Sequence, residues 1–420
     1  MAKTIQNSTK PKINQGRYAL IAVLLGLLAM LLPASVDGSV AMVPAVATHF
    51  SSGIELVQLS LSALVLGIAF GQLVYGPLSD CFGRKPIILV GITCYSVAAA
   101  SCTQVPNIEY LIILRFLQGF FACSGIIVAR ALIRDLFNRE AGARLFALMM
   151  GIHGIMPAVA PGISGWMTDV FGWQSVFWAM SGFGVFVGTA VMFGLAETNT
   201  QKDKGALRIG RMAMNYRTII RNRAFCSYAI CACFIYGALM AYFAGTPVAL
   251  IQYLGLTPQK VGIVMAVPII FYIMAQLGVA RIAYVVGIER LIGVGAYLAA
   301  AASSTMLFCM MIGIVDLYTL MGPVIAILVS VAFIIPSTTA GALAPFANLA
   351  GAASSLLGFI QFLAASLGMV LIAIFNDGTP LPMAFVIFGC AVGTLLSYLV
   401  LVKMPLKPTA RLKNLPNEEL

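Results

Sequence analysis

Residues 76–86 read GPLSDCFGRKP. The stretch packs one acid, two bases, two glycines and two prolines between two apolar runs, LSALVLGIAFGQLVY at 61–75 and IILVGITCYSVAAA at 87–100. Only 9% of the 420 residues are charged, so three charges this close together mark a place where the chain meets water. Crossing a bilayer as a helix takes about 20 apolar residues, and the flanking runs approach that length. The stretch reads as a tight turn between two membrane-spanning helices.

Working outward, the same alternation repeats along the chain. Hydrophobic residues make up 61% of the sequence and the mean hydropathy is +0.99, against roughly 45–50% apolar in water-soluble domains. The apolar blocks predict about twelve spans, at 18–48, 56–78, 86–104, 108–132, 142–168, 172–195, 225–253, 259–282, 287–313, 317–345, 349–376 and 380–403. The expected fold class is an all-α polytopic membrane protein.

A net charge of +11 on a soluble chain would point to nucleic acid. Its placement here excludes that reading. Twenty-three of the 25 Lys and Arg residues fall on one side of the predicted spans, in the N-terminal tail, the even-numbered turns and the C-terminal tail. Lys260 alone falls opposite, and Arg115 lies inside span 4. Under the positive-inside rule both termini are expected in the cytoplasm. Anionic lipid headgroups are then the natural neighbours of the basic loops.

The nine cysteines are scattered through apolar runs without CxxC or paired spacing, as buried thiols acting as small hydrophobes would be. Two distant histidines assemble no metal cluster. GxxxxGK[ST] is absent, which argues against nucleotide-driven transport. No cluster of His, acids or nucleophiles gathers at one membrane face, so a membrane enzyme is not expected.

The longest polar stretch, 196–224, divides six spans from six. The expected organisation is a tail at 1–17, a bundle at 18–195, a basic linker at 196–224, a second bundle at 225–403 and a tail at 404–420. The two bundles carry a repeat. QLVYGPLSDCFGRKPIILVG (72–91) aligns without gaps on QLGVARIAYVVGIERLIGVG (276–295), keeping Gln72, Leu73, Gly83, Val90 and Gly91 as Gln276, Leu277, Gly287, Val294 and Gly295. Most of the central charges are lost in the second copy.

Parallel repeats of six helices are the layout of major facilitator transporters, and GPLSDCFGRKP resembles that superfamily's signature in the turn between spans 2 and 3. LRFLQGFF (114–121) resembles its span 4 motif with an intramembrane arginine. GIMPAVAPGISG (154–165) resembles the span 5 glycine/proline motif of proton antiporters, departing from it at Ala160 and Ser164. VDGSVAMVP (36–44), GWQSVFW (172–178), ALAPF (342–346) and ASSLLGFIQF (353–362) look like the bicyclomycin/chloramphenicol-resistance (Bcr/CflA-type) branch of drug:proton antiporters. The resemblance implies two pseudo-symmetric bundles, a monomer, no cofactor beyond the proton gradient, and exchange of protons for a small molecule.

The opening cluster then divides its labour. Gly83 permits the tight reversal, Gly76 lets span 2 approach a neighbour closely, and Arg84 and Lys85 hold the turn at the basic face. The resemblance places Asp80 near the start of span 11, around Leu349–Gly351. There a carboxylate would meet free amides at a positive helix end, an interaction of roughly 0.3–1 kcal/mol when exposed and up to about 2 when partly buried. Asp80 is expected to latch the two halves. A turn that merely fixes topology is the plainer alternative.

Of fourteen acids, only Asp37 lies deep in an apolar run, and Arg115 is its basic counterpart. Each intramembrane charge costs about 2.5–3.5 kcal/mol at a helix centre on insertion scales, so both are candidates for function. Both lie in the outer half of their spans, and a pairing between them is expected. Burial disfavours a carboxylate's charge and a guanidinium favours it. A balanced group can take a proton on one side and lose it on the other, in competition with a cationic or polar substrate. A buried structural ion pair is the alternative reading.

His153 is a further titratable candidate in span 5. Gly154, Pro157, Pro161, Gly162 and Gly165 predict a kinked, closely packing helix, and the resemblance implies that it seals against span 8. The substrate cavity is expected between the halves at mid-membrane, lined by Tyr236, Met240, Tyr242, Phe243, Tyr272, Gln276 and Gln361 with His153. Aromatics, Met and a few amides suit a tolerant pocket for amphipathic molecules. The leading expectation is proton-coupled efflux of antibiotics such as phenicols or bicyclomycin-like drugs. The alternative is a natural metabolite, moved by sugar-porter-like symport or siderophore export.

Overall fold

The computed structural model describes residues 15–137, 139–199, 202–346 and 349–402. Most of the two expected tails, with Lys3, Lys10, Lys12 and the bases from Lys403 onward, lies outside the described residues. Within them the chain is helical without strands, and twelve helical spans are long and apolar enough to cross a membrane.

The N-terminal half comprises α1 (Gln15–Asp37), a short α2 (Val43–His49), α3 (Ile54–Phe82), α4 (Arg84–Ser101), α5 (Ile108–Leu136), α6 (Arg139–His153), α7 (Ile155–Phe171) and α8 (Gln174–Gly194). The linker holds α9 (Ile209–Ile220). The C-terminal half comprises α10 (Arg223–Pro247), α11 (Pro258–Val286), α12 (Ile288–Met311), α13 (Leu317–Leu343), α14 (Ala350–Ile374) and α15 (Leu381–Ser397). Polar caps start several spans at the water boundary. Asn107 accepts from the Tyr110 amide at 3.1 Å, and Asp316 forms a capping box with Thr319 at the head of α13.

The repeat is legible in the backbone. The corner between α3 and α4 turns on Gly83 at φ 112°, and the equivalent corner between α11 and α12 turns on Gly287 at φ 86°. Both values are costly for a residue with a Cβ, which is why glycine stands at each.

Two expected spans are not continuous. The helix anticipated over 18–48 stops at Asp37, passes through a turn at residues 38–42, and resumes as α2 with Pro44 in its first turn. Gly38 weakens the helix there, and the Ser39 hydroxyl donates back to the Ser35 carbonyl at 2.6 Å, a contact that bends helices. Span 5 breaks at Gly154 into α6 and α7. Pro157 has no N–H to give the His153 carbonyl, so the ladder lapses at that step. The linker, expected as a polar stretch, carries α9. Its exposed Ile209 and Met214 stand among Arg208, Arg211 and Arg217.

The halves meet along two seams. α3 runs against α14, with the Ser366 hydroxyl donating to the Ser62 carbonyl at 2.9 Å, Phe70 edge-on to Phe359, and Gly76 opposite Ser355. α7 meets α11 where Gly162 faces Gly262 so closely that a methyl at Gly262 would stand 2.6 Å from the Gly162 Cα. Small residues let membrane helices approach in this way. Large apolar side chains such as Val97, Ile113, Phe186 and Phe193 point outward instead, as they do toward lipid.

Candidate functional site

Asp37 ends α1 with 4% of its surface exposed. It lines a central cavity of about 140 Å3 between the halves, together with Pro33, His153, Pro157, Tyr236, Met240, Phe243, Tyr272 and Phe362. Five of the predicted lining residues, His153, Tyr236, Met240, Phe243 and Tyr272, are thus brought together with the predicted acid. Tyr242, Gln276 and Gln361 are not among the lining residues. Tyr242 is fully buried beside Phe243, and Gln276 neighbours Tyr272 one turn further along α11. Phe362, the residue after Gln361, reaches the cavity and packs on Tyr236 at 5.2 Å. Residues next to one another on a helix point in different directions, so a one-residue shift decides which lines the cavity.

The expected Asp37–Arg115 pair is not made. The Arg115 guanidinium is fully buried and donates to the Ser35 carbonyl at 3.0 Å, the Ser39 hydroxyl at 2.5 Å and Gln118 Oε1 at 2.7 Å, over the Phe177 ring at 5.4 Å. The turn after Asp37 folds the Ser39 hydroxyl back onto the Ser35 carbonyl, so that Arg115 meets the two serines together. Binding both serines turns Asp37 away from Arg115 and toward the cavity. Among the described residues Asp37 has no ion pair and no side-chain hydrogen bond. The serines flanking Asp37 at two positions either side, and Gln118 one turn after Arg115, were the readable signs of this arrangement.

His153 closes α6, and its Nδ1 lies 2.8 Å from the Ala29 carbonyl. A carbonyl only accepts, so Nδ1 carries the proton and ties the break in span 5 to α1. Gly154 occupies that break, Pro157 lines the cavity, Pro161 and Gly162 face Gly262, and Gly165 is buried in α7. The glycine/proline motif therefore both bends span 5 beside Asp37 and forms its close contact with α11.

The opening cluster builds a network of ion pairs and hydrogen bonds at the basic face. Arg84 is buried at 4% exposure and holds Asp80 at 2.5 Å, Asp135 at 2.9 Å and the Ser79 hydroxyl at 2.7 Å. Lys85 Nζ donates to the Met192 carbonyl at 2.7 Å. The amides of Arg84 and Lys85, which open α4, donate to the Glu197 carboxylate at 3.0 and 3.1 Å. Partial burial pushes the Glu197 carboxyl up, but amide donors from Asn199, Arg84, Lys85 and Thr198 hold it below the usual range. Sequence reasoning missed Glu197, whose sign was an acid just past an apolar run.

Asp80 does not reach the head of α14. It borders the same basic-face cavity as Leu349, Ala350 and Gly351, but its carboxylate is spent on Arg84. A full charge one helical turn away outcompetes the partial charge of a helix end. The linker closes over this corner instead, where the Asp203 amide and the Asn199 side chain both donate to the Asp80 carbonyl, at 3.1 and 3.0 Å.

Two cavities between pseudo-symmetric six-helix halves, one central with a lone acid and one at the basic face, are the plan of an alternating-access carrier. The sequence profile of the Major Facilitator Superfamily matches residues 23–369. The chain belongs to that superfamily. It is a transporter, not an enzyme. It is 30% identical over 398 residues to a bicyclomycin resistance protein homolog of Haemophilus influenzae, covering 94% of this chain and 99% of that one. An uncharacterized MFS-type transporter of Bacillus subtilis, YdgK, is 30% identical over 385 residues, covering 91% and 95%. The multidrug resistance protein MdtL of Salmonella heidelberg is 26% identical over 380 residues, covering 88% and 92%. In fold the superfamily member matches a solved bacterial homolog of the human lysosomal transporter Spinster in an inward-facing, unoccupied conformation. The TM-score is 0.71 with 15% identity, covering 94% of this chain and 100% of that one.

Proposed function

We propose that this protein is a proton-coupled exporter of small amphipathic compounds, among them antibiotics of the phenicol or bicyclomycin kind, working as a monomer in a bacterial inner membrane. The observation that carries the reading is Asp37, an acid without a counter-ion that lines the cavity between the halves. A carboxylate so placed can be neutralised by a proton or by a donor group of the substrate, and the two occupancies exclude one another. The relatives named for bicyclomycin and multidrug resistance support export.

Alternating access supplies the rest. Opposite the basic face the halves touch, with the Gln58 side-chain amide donating to the Ala244 carbonyl at 2.9 Å and Gly162 against Gly262. At the basic face a cavity of about 470 Å3 separates α5 from α13 and α14. This is a state loaded from the basic side. Proton binding at Asp37 from the far side, after the halves rock, would expel substrate there. Moving one elementary charge through 100 mV releases about 2.3 kcal/mol, so exchange of a proton for a neutral compound draws on both the potential and the pH gradient.

The test is transport by the reconstituted protein against an imposed pH gradient, with a phenicol, a bicyclomycin-like compound and a lipophilic cation as substrates. Native protein should release protons as substrate moves, and Asp37→Asn should not. Coupled transport by Asp37→Asn equal to that of native protein would refute the single-carboxylate mechanism.

A further inference from the structure

The basic-face cavity holds a cation that no described residue neutralises. Arg130 lies on α5, less than two turns before the helix ends at Leu136. Its guanidinium makes no ion pair or hydrogen bond with the described residues, and its Nε is sealed from solvent without an acceptor. Other arginines around the same space have acids. Arg84 holds Asp80 and Asp135, Arg134 lies near Asp135, and Arg211 holds Asp203. Sequence position put Arg130 at the basic end of span 4, counted with the bases between spans 4 and 5 that fix topology. The fold makes it part of a cavity wall.

The Arg130 charge is also felt at the central cavity. Tyr236, in the central cavity, is within electrostatic reach of both Asp37 and Arg130, and His153 is within reach of Arg130. An unpaired cation inside a membrane helix is costly, and such residues mark substrate pathways. A guanidinium matches carboxylate and phosphate geometry with two parallel donors. Volume agrees. Small-molecule sites occupy about 300–1,000 Å3, and the basic-face cavity, at about 470 Å3, falls in that range where the central one, at about 140 Å3, does not. Ile127, Ala131 and Leu343 supply apolar wall beside the charge.

We propose that the basic-face cavity is a loading site whose ligand carries an anionic group, a carboxylate or phosphate, bound by the Arg130 guanidinium. The inference rests on the reading of this chain as an exporter that loads from its basic side. It adds amphipathic acids and zwitterions to the substrate range and has them load more tightly than neutral compounds or lipophilic cations of the same size. The same chemistry is offered by an anionic lipid headgroup, and the experiment separates the two sources.

The full chain in phosphatidylcholine nanodiscs is titrated with dansylglycine and with its neutral amide, without a proton gradient, and binding is followed by fluorescence anisotropy. Native protein should bind the acid about tenfold or more tightly than the amide, as expected for a charge-assisted contact. Arg130→Gln should abolish that preference while leaving amide affinity unchanged, and Arg130→Lys should keep part of it. Equal affinity of native protein for acid and amide would overturn the proposal, as would a preference that survives Arg130→Gln. The native comparison and Arg130→Lys stand even if Arg130→Gln fails to fold. Repeating the titration with phosphatidylglycerol present identifies the source. Displacement of dansylglycine assigns the anion site to a headgroup, and no displacement assigns it to the substrate. Because no gradient is applied, failure here is distinct from failure of proton coupling in the Asp37→Asn test.

Discussion

The Arg115 guanidinium lies 2.5 Å from the Ser39 hydroxyl, so the deep base of the N-terminal half clamps the bend that follows Asp37 and leaves the acid itself unpaired. The two intramembrane charges therefore have separate roles, and they should separate by experiment. Arg115→Ala removes the donor shared by the Ser35 carbonyl, the Ser39 hydroxyl and Gln118 Oε1, and leaves Gln118 Oε1 without a partner among the described residues. It should cost about 3 kcal/mol or more, by analogy with stranding buried polar groups, and lower the melting temperature of the detergent-solubilised protein sharply. Asp37→Asn should melt at or above the native temperature. A loss from Asp37→Asn as large as that from Arg115→Ala would show that the acid is a structural partner after all.

The seam of α7 and α11 should be equally sensitive. A Cβ at Gly262 meets backbone of α7 at 2.6 Å, and backbone cannot swing aside. Gly262→Val should therefore part the halves opposite the basic face and reduce transport by about tenfold or more, as overpacking of about 1–3 kcal/mol implies. In a cysteine-free background, a cysteine at Val57, now 2% exposed, should become open to maleimide. Labelling that stays at background would place the seam's importance elsewhere.

In the charge network at the basic face, Arg84 is buried and shared, whereas the Asp80 side chain is 42% exposed and has one ionic partner among the described residues. Arg84→Gln should consequently destabilise the protein by several times the cost of Asp80→Asn, because it removes at once the buried partner of Asp80, Asp135 and Ser79, leaving Asp135 only the exposed Arg134 at 3.9 Å among the described residues. Thermal melts of the two variants decide this. Similar losses would mean that Asp80 has a second partner of equal weight.

Glu197 contributes stability with a defined pH signature. Its folded-state pKa is lowered by the amides it accepts, against the upward push of partial burial. A depressed carboxyl contributes above its unfolded value, about 4.3, and the contribution is lost as pH falls through the folded value. Glu197→Gln should therefore cost about 1 kcal/mol near neutrality, the usual value of a helix cap. The gap between native and variant melting temperatures should be full above about pH 4.3 and close as pH falls below that, through the lowered folded value. A gap independent of pH would assign the effect to packing.

Much of this was legible along the chain. Twelve apolar blocks and the one-sided bases dictate a polytopic helical protein, because a bilayer forces every backbone donor and acceptor to be satisfied within a helix. The repeat of GPLSDCFGRKP after span 8 dictates two halves, and Gly83 and Gly287 are found doing the same conformational work. Asp37 stood out for its depth alone. These features are one-dimensional, since they depend on composition, spacing and the cost of burying a charge.

Partnership is not one-dimensional. Which face of α1 meets Arg115 was settled by the serines two residues either side of Asp37, once the bend after Asp37 had turned them together. Asp80 took Arg84 in place of α14, and Glu197 reached the head of α4 across 113 residues. Arg130 became part of a cavity wall only when α5 stood across from α13 and α14. Phe362 in place of Gln361 lines the central cavity because helix rotation is set by packing against neighbours, and a rotation of one residue is about 100°. The sequence determined that this chain crosses a membrane many times in two related bundles and buries charged residues there. Only the tertiary structure decided which of those charges are paired and which stand open to a ligand, because pairing depends on helix rotation and approach, which many distant contacts set together.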